Sequence, residues 1–207
     1  QGVIAVTPLM QTSLAARVGG RCPVALIPNG YDEADFVARK PMPKPSNVFR
    51  IVHAGTFYGQ RSPEAFLQAV AQCLKGDAAA AMRLKIRFVG AIGGRFAQAL
   101  DEFDREWPNV LERTGMVSHE TALVESLSAD VLLLVIGGGA AARGVLTGKV
   151  FEYLRAGRPV LLLGPDDGDA ADLLRQHASY AQASADDVQA IAGTLSKLLR
   201  GEGFCSR

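Results

Sequence analysis

The chain has 207 residues, 48% of them hydrophobic, and a formal net charge of +1 from 22 basic and 21 acidic side chains. That length holds one substantial domain plus a fragment, or two small domains, and the even charge excludes the basic excess expected of a nucleic-acid-binding face. No apolar run approaches the ~20 residues of a membrane-spanning helix, and no signal peptide is visible.

Val3–Val6 reads as a short buried strand, Pro8–Val18 as a helix and Val24–Ile27 as a second strand, stopped by the turn Pro28-Asn29-Gly30. The start at Gln1, directly into a strand, reads as a piece cut from something longer. Residues 37–47, VARKPMPKPSN, are rich in proline and lysine and predict a linker. Strands then alternate with helices. The strands are Phe49–Ala54, Leu84–Gly90, Val110–Arg113, Val131–Ile136 and Val160–Leu163, with a last short one near Tyr180. The helices between and after them are Ser62–Leu74, Arg95–Glu106, Glu120–Leu127, the stretch opened by Thr147, Gly168–Gln176 and Asp186–Leu199, and Gly137–Gly144 is a Gly/Ala loop. This alternation predicts an α/β fold with a doubly wound parallel sheet. Continuous apolar strands such as VLLLVI fit burial on both faces. Ligands of such sheets bind beyond the carboxyl ends of the strands, here the loops 55–61, 90–94, 114–119 and 137–148.

The densest signal is TGKVFEYLRAGRPVLLL, residues 147–163. Thr147 is placed to cap a helix, and Gly148 leaves backbone N–H groups open to an anion. Lys149 adds a mobile cation in the first turn, and Glu152, three residues on, shares its face. Gly157 ends the helix, and Pro159 leads into the apolar run. Amides, one cation and one carboxylate at a helix start suit a nucleoside diphosphate, the carboxylate taking the ribose hydroxyls. Local pattern alone favours a plainer reading, a surface helix pair worth a few tenths of a kcal/mol.

Cys22, Cys73 and Cys205 are scattered and odd in number, with neither metal-ligand spacing nor a disulfide framework, so a reducing, cytoplasmic compartment is expected. His53, His119 and His177 stand apart from one another and from the cysteines, which makes a zinc site unexpected.

Four stretches in order fit one pattern: IPNGYDEADF at 27–36, HAGTFYGQRSPEAFLQAV at 53–70, RFVGAIGG at 87–94 with TGMVSHETALVESLSADVLLL at 114–134, and TGKVFEYLRAGRPVLL at 147–162. Together they resemble the donor half of the group 1 glycosyltransferases of GT-B architecture, in which two Rossmann-like domains face each other across a cleft. The resemblance implies three parts. Residues 1–36 are the end of the N-terminal acceptor domain and the crossover hinge, 37–47 the linker, and 48–207 the Rossmann-like donor domain. It implies a UDP- or GDP-type sugar as substrate, no cofactor and no metal, and transfer to an acceptor hydroxyl, usually with retention of configuration. The acceptor, a glycan or a lipid-linked one, is held by the other domain. The whole protein has no membrane span on this reading, although peripheral membrane association is compatible with it.

Residue by residue, Gly55 matches the glycine at which the backbone approaches the donor phosphates, although Thr56 follows where a basic residue is usual. Arg61 matches a second basic residue that grips the diphosphate; a solvated loop charge is the alternative. Met116 and Val117 fall in the turn that cups the nucleobase. Lys149 matches a K-x-x-E-Y subclass and is expected on the diphosphate beside Thr147 and Gly148, and Glu152 matches the ribose-binding carboxylate. His119 reads as a helix-start residue, and His53 as packing at the end of a strand. The family commonly carries another glutamate eight positions before the ribose glutamate, where it meets the donor sugar; this chain has Gly144 there, preceded by Arg143. No catalytic residue is therefore assigned. A non-catalytic module for nucleotide sugars and a nicotinamide-dependent Rossmann enzyme stay open as alternatives, the second on GAIGG at 90–94, which follows a middle strand and lacks the full dinucleotide fingerprint.

Overall fold

Six strands rich in Val, Ile and Leu lie side by side in one sheet of a computed structural model that describes residues 1–204. They are β3 (Phe49–Ala54), β4 (Leu84–Val89), β5 (Leu111–Gly115), β6 (Val131–Val135), β7 (Val160–Leu163) and β8 (Tyr180–Ala183). All are parallel, in the order β5-β4-β3-β6-β7-β8. Cys205 lies outside the described residues.

Alternation along the strands sorts the core onto two faces. Ile51, Leu133 and Leu161 point to one, where α3 (Glu64–Gly76), α5 (Ala97–Glu106) and α9 (Val188–Leu199) cover them with Phe66, Val70, Leu100, Phe103, Ile191 and Leu195. Val52, Leu132 and Leu162 point to the other, against Val150 and Tyr153 of α7 (Gly148–Ala156) and Ala171 and Leu174 of α8 (Asp169–His177). Helix α6 (His119–Leu127) packs on the same side and is tied to β4 by a bidentate ion pair, Arg87 Nε and Nη2 to Glu125 Oε2 and Oε1 at 2.8 and 2.5 Å.

At the N-terminus β1 (Val3–Ala5) and β2 (Val24–Leu26) form a separate two-stranded parallel pair, bridged by α1 (Pro8–Val18). Thr7 caps α1 by accepting a hydrogen bond from Met10 N at 3.1 Å, and Gly19 closes it in the left-handed region. This unit touches the main body through Thr7 Oγ1, which donates to Gly144 O at 3.3 Å, and Leu9 N, which donates to Asp169 Oδ2 at 3.2 Å.

Two helices depart from the sequence reading. The short α2 (Ala34–Val37) straddles the expected junction of residues 1–36 with the linker; it is held by buried Phe36, over which the Arg155 guanidinium lies, and by the Arg155 fork to Glu33 at 2.7 and 2.5 Å. Beyond it the predicted linker holds no regular element and is pinned by Met42 N donating to Ser128 Oγ at 2.7 Å and by the Lys44–Asp130 ion pair at 3.0 Å. The second is α4 (Ala78–Arg83), started by Asp77, whose Oδ1 accepts from Ala79 N and Ala80 N. Within the Gly/Ala loop, Ala140–Gly144 closes into a 3₁₀ turn.

The sheet reverses its order between β3 and β6, and these two strands pair over only Ile51–Val52 and Val131–Leu132. Beyond that they splay, and side chains replace the missing ladder. The buried Tyr153 hydroxyl accepts from Ala54 N at 2.9 Å and donates to Leu133 O at 3.4 Å, and His53 Nδ1 meets the same carbonyl at 2.9 Å. Tyr153→Phe is expected to lower the unfolding free energy by about 1–3 kcal/mol, because it leaves the buried Ala54 N–H without an acceptor. Urea denaturation checks this; an unchanged midpoint would mean that Ala54 N–H finds another partner.

Candidate functional site

The splayed end of β3 and β6 opens the crevice in which open α/β sheets hold ligands. Gly55 follows β3 at φ +145°, its N–H donating to Val89 O at 2.6 Å. A Cβ built on Gly55 would stand 1.8 Å from Lys149 Nζ, so the lysine ammonium rests directly on the Gly55 α-carbon. A side chain there would push the lysine away, and φ +145° is a conformation that L side chains rarely adopt.

Lys149 reaches this position from the first turn of α7, and among the described residues it forms neither a hydrogen bond nor an ion pair. Burial, then the neighbouring Arg61 cation, push its pKa down from 10.5 to about 8, with Glu152 pulling the other way. Arg61, on the loop after β3, lies over the Tyr58 ring at 5.1 Å and donates from Nη1 to the Tyr58 hydroxyl at 2.9 Å. The same charges reach His53. Its imidazole is buried, stacks on Phe57 at 4.0 Å, and is held neutral first by desolvation and then by the Lys149 cation. With Nδ1 engaged on Leu133 O, His53 Nε2 is left buried without a hydrogen-bond partner. The Lys149 cation and a desolvated neutral imidazole meet at one glycine, with the Arg61 charge near enough to act on both, an arrangement electrostatically prepared for an anion.

Gly148 is the first residue of α7, exposed, with nothing near the place of a Cβ, and its amide is one of those that a helix start leaves without an intrahelical partner. Thr147 occupies the N-cap position but does not cap: its side chain accepts no hydrogen bond, and Oγ1 is buried and unpartnered. The capping expected from residue type therefore fails, because the hydroxyl turns inward.

Glu152 and Lys149 do not form the helix pair that local pattern favoured. Glu152 Oε1 instead accepts from His119 Nε2 at 2.8 Å, and His119 Nδ1 lies 3.7 Å from Asp35 Oδ2. His119 is the first residue of α6, as read from sequence, but its ring faces the candidate ribose carboxylate, a contact the sequence reading missed. Met116 is 78% exposed in the turn after β5 and Val117 is half-buried against the second core cluster. Gly115, at φ +67°, turns the chain there.

Gly144 has room for a side chain: a Cβ would make only ordinary contact, 3.7 Å from Leu9 Cβ. Arg143 points elsewhere, into an ion pair with Asp167 at 3.0 Å. A hollow of about 550 Å³, lined by Gln60, Ser62, Gln68, Arg95 and Asp186 and bordered by α3 and the start of α9, contains none of the site residues above. Among the described residues no three His, Cys, Asp or Glu side chains cluster as metal ligands, and no helix is long and apolar enough to cross a membrane.

No family model and no curated protein matches the chain. Solved structures do match it. The N-terminal domain of trehalose-6-phosphate phosphatase from Candida albicans superposes with a TM-score of 0.71 at 16% identity, covering 96% of this chain and 50% of that one. Sucrose-phosphate synthase from Thermosynechococcus elongatus gives 0.70 at 17% identity, with 96% and 49% covered. HepE from Anabaena, solved with UDP and glucose, gives 0.64 at 17% identity, with 97% and 52% covered. The chain thus has the fold of one Rossmann-like GT-B half and spans about half the length of these solved chains.

Proposed function

We propose that this chain binds a nucleoside diphosphate sugar and is the donor half of a glycosyltransferase that passes the sugar to an acceptor hydroxyl. The observation that carries the reading is the Lys149 ammonium, desolvated, unpaired among the described residues and seated on Gly55 beside Arg61 at the sheet's switch point. A largely desolvated cation with no ion-pair partner among the described residues is costly; a diphosphate supplies one. Glu152 lies about one helical turn further along α7. The solved structure of HepE with UDP and glucose supports the same class of ligand.

On this reading Lys149, Arg61 and the Gly148 amide hold the diphosphate beside Thr147, with Gly55 letting the backbone approach it. Glu152 accepts hydrogen bonds from the ribose hydroxyls, and the backbone at Met116 and Val117 cups the base, uracil or guanine. As the glycosidic bond breaks, charge builds on the leaving diphosphate, and the same cations and amide stabilise it more than they stabilise the ground state. Neither cofactor nor metal enters, and the configuration is retained. The acceptor, glycan or lipid-linked, belongs to the other half of the cleft, and the reaction takes place in the cytoplasm. Gly144 favours a second reading, a module that binds the nucleotide sugar without transferring it, because no carboxylate stands at that position.

Calorimetric titration with UDP, GDP and NAD tests the proposal. One of the diphosphates is expected to bind, and Arg61→Ala and Glu152→Ala are each expected to weaken it about 10- to 100-fold, the loss of one charge-assisted hydrogen bond. NAD binding alone, or diphosphate binding indifferent to both substitutions, would overturn it. Transfer assays on the chain together with its other half separate the two readings: donor binding without turnover supports the module.

A further inference from the structure

We propose that His119 is the positioning residue that aims Glu152 at the ribose, and that Asp35 on the crossover segment holds His119 in turn. The inference rests on the reading of Glu152 as the ribose-binding carboxylate and extends it to two residues outside that motif.

The geometry runs in one line, from α2 through α6 to α7. Asp35 Oδ2 lies 3.7 Å from His119 Nδ1, and His119 Nε2 lies 2.8 Å from Glu152 Oε1. Both ends are anchored. Ser118 caps α6 by accepting from Thr121 N at 3.2 Å, which fixes the backbone of the residue after it, His119. Helix α2 is clamped to α7 by the Glu33–Arg155 fork and to α6 by the Arg39–Glu120 pair at 3.7 Å, and Asp35 sits between those two anchors.

A glutamate on a helix surface is otherwise free about three side-chain torsions and loses that freedom when it binds. With Oε1 tied to an imidazole N–H, the carboxylate is oriented beforehand and Oε2 is left for hydroxyl groups. Glu152 has its side chain 30% exposed, so it is tethered without being sealed off. His119 follows Met116 and Val117, the residues read as cupping the base, by two positions, so the tether starts on the base side of the site.

The test compares UDP with 2′-deoxy-UDP, or the guanine pair if GDP is the ligand that binds, by calorimetry on the full chain. The parent chain is expected to prefer the ribonucleotide about tenfold, and His119→Ala to bring that preference close to unity with little change in binding of the deoxynucleotide. His119→Gln, whose amide N–H reaches the place of Nε2, is expected to restore the preference; His119→Asn, which reaches only the place of Nδ1, is not. Asp35→Asn is expected to lower the preference part of the way. A mere structural role would weaken both ligands alike, and because His119 has its side chain 55% exposed the variants are expected to melt with the parent. If Glu152→Ala abolishes the preference while His119→Ala leaves it intact, the role of His119 is overturned and the site reading stands. If neither changes it, the reading of Glu152 falls, and the inference with it.

Discussion

Lys149→Met is expected to make the protein more stable at neutral pH while removing most of its affinity for a nucleoside diphosphate. The two effects have one cause. Burial and the Arg61 cation hold the Lys149 ammonium at a pKa of about 8 against 10.5 for the free side chain. Folding therefore works against a charge that the unfolded chain carries freely in water. Partial solvent access reduces the cost to on the order of 1–3 kcal/mol, and methionine, similar in length and uncharged, removes it. Between pH 8 and 10.5 the unfolded chain binds more protons than the folded one, so the parent gains stability as pH rises through that window. The methionine variant lacks this rise, and the two melting temperatures converge near pH 10.5.

Binding moves the opposite way. The parent is expected to lose diphosphate affinity as pH climbs past about 8 and the ammonium gives up its proton, whereas the variant binds about 10- to 100-fold more weakly at pH 7 and is flat through that range. Calorimetric melts and titrations at pH 7, 8.5 and 10 measure both. A variant less stable than the parent at pH 7 would show that Lys149 has a stabilising partner and would remove the physical basis of the anion site.

The parts of this site that were legible in the sequence are those set by local pattern. Apolar strands such as Val131–Val135 announce themselves because burial on both faces leaves no polar alternation, and Gly148, Lys149 and Glu152 share one turn of one helix. Two kinds of feature escaped. Helix α4 is an alanine run with no amphipathic stripe, and α2 is a single turn held by the distant Arg155, so neither carries a periodic signal. The contacts that decide what Glu152 and Lys149 do are between residues far apart in the chain: His119 is 33 positions from Glu152, and Gly55 meets Lys149 only because β3 and β6 are neighbours in the sheet. Thr147 shows the converse error. Its residue type and position predict a cap, and the fold buries the hydroxyl instead.

Gly90→Ala is expected to destabilise the fold by about 3 kcal/mol or more and to disturb the donor site from behind. Gly90 follows β4 at φ +130°, where an L side chain is strained by about 1–3 kcal/mol before any contact is counted. A Cβ there would also lie 2.5 Å from Gly55 O and 2.8 Å from Gly55 C. Those are backbone atoms, so no rotamer change relieves the overlap. Nor is the loop free to retreat: Gly90 N donates to Gly115 O at 2.9 Å and Gly55 N to Val89 O at 2.6 Å, which locks the ends of β3, β4 and β5 together. The clash must therefore displace Gly55, against which the Lys149 ammonium rests, so weaker diphosphate binding should accompany the lost stability. Gly94→Ala is the control, since a Cβ there meets nothing within 4 Å and the backbone is not in the left-handed region; it is expected to leave both properties close to those of the parent. Urea denaturation and titration of the two variants measure the difference. A Gly90→Ala protein as stable as the parent would mean that the β3 and β4 loops yield easily, and a pocket on loops that yield would not be preorganised to hold a desolvated lysine against a glycine.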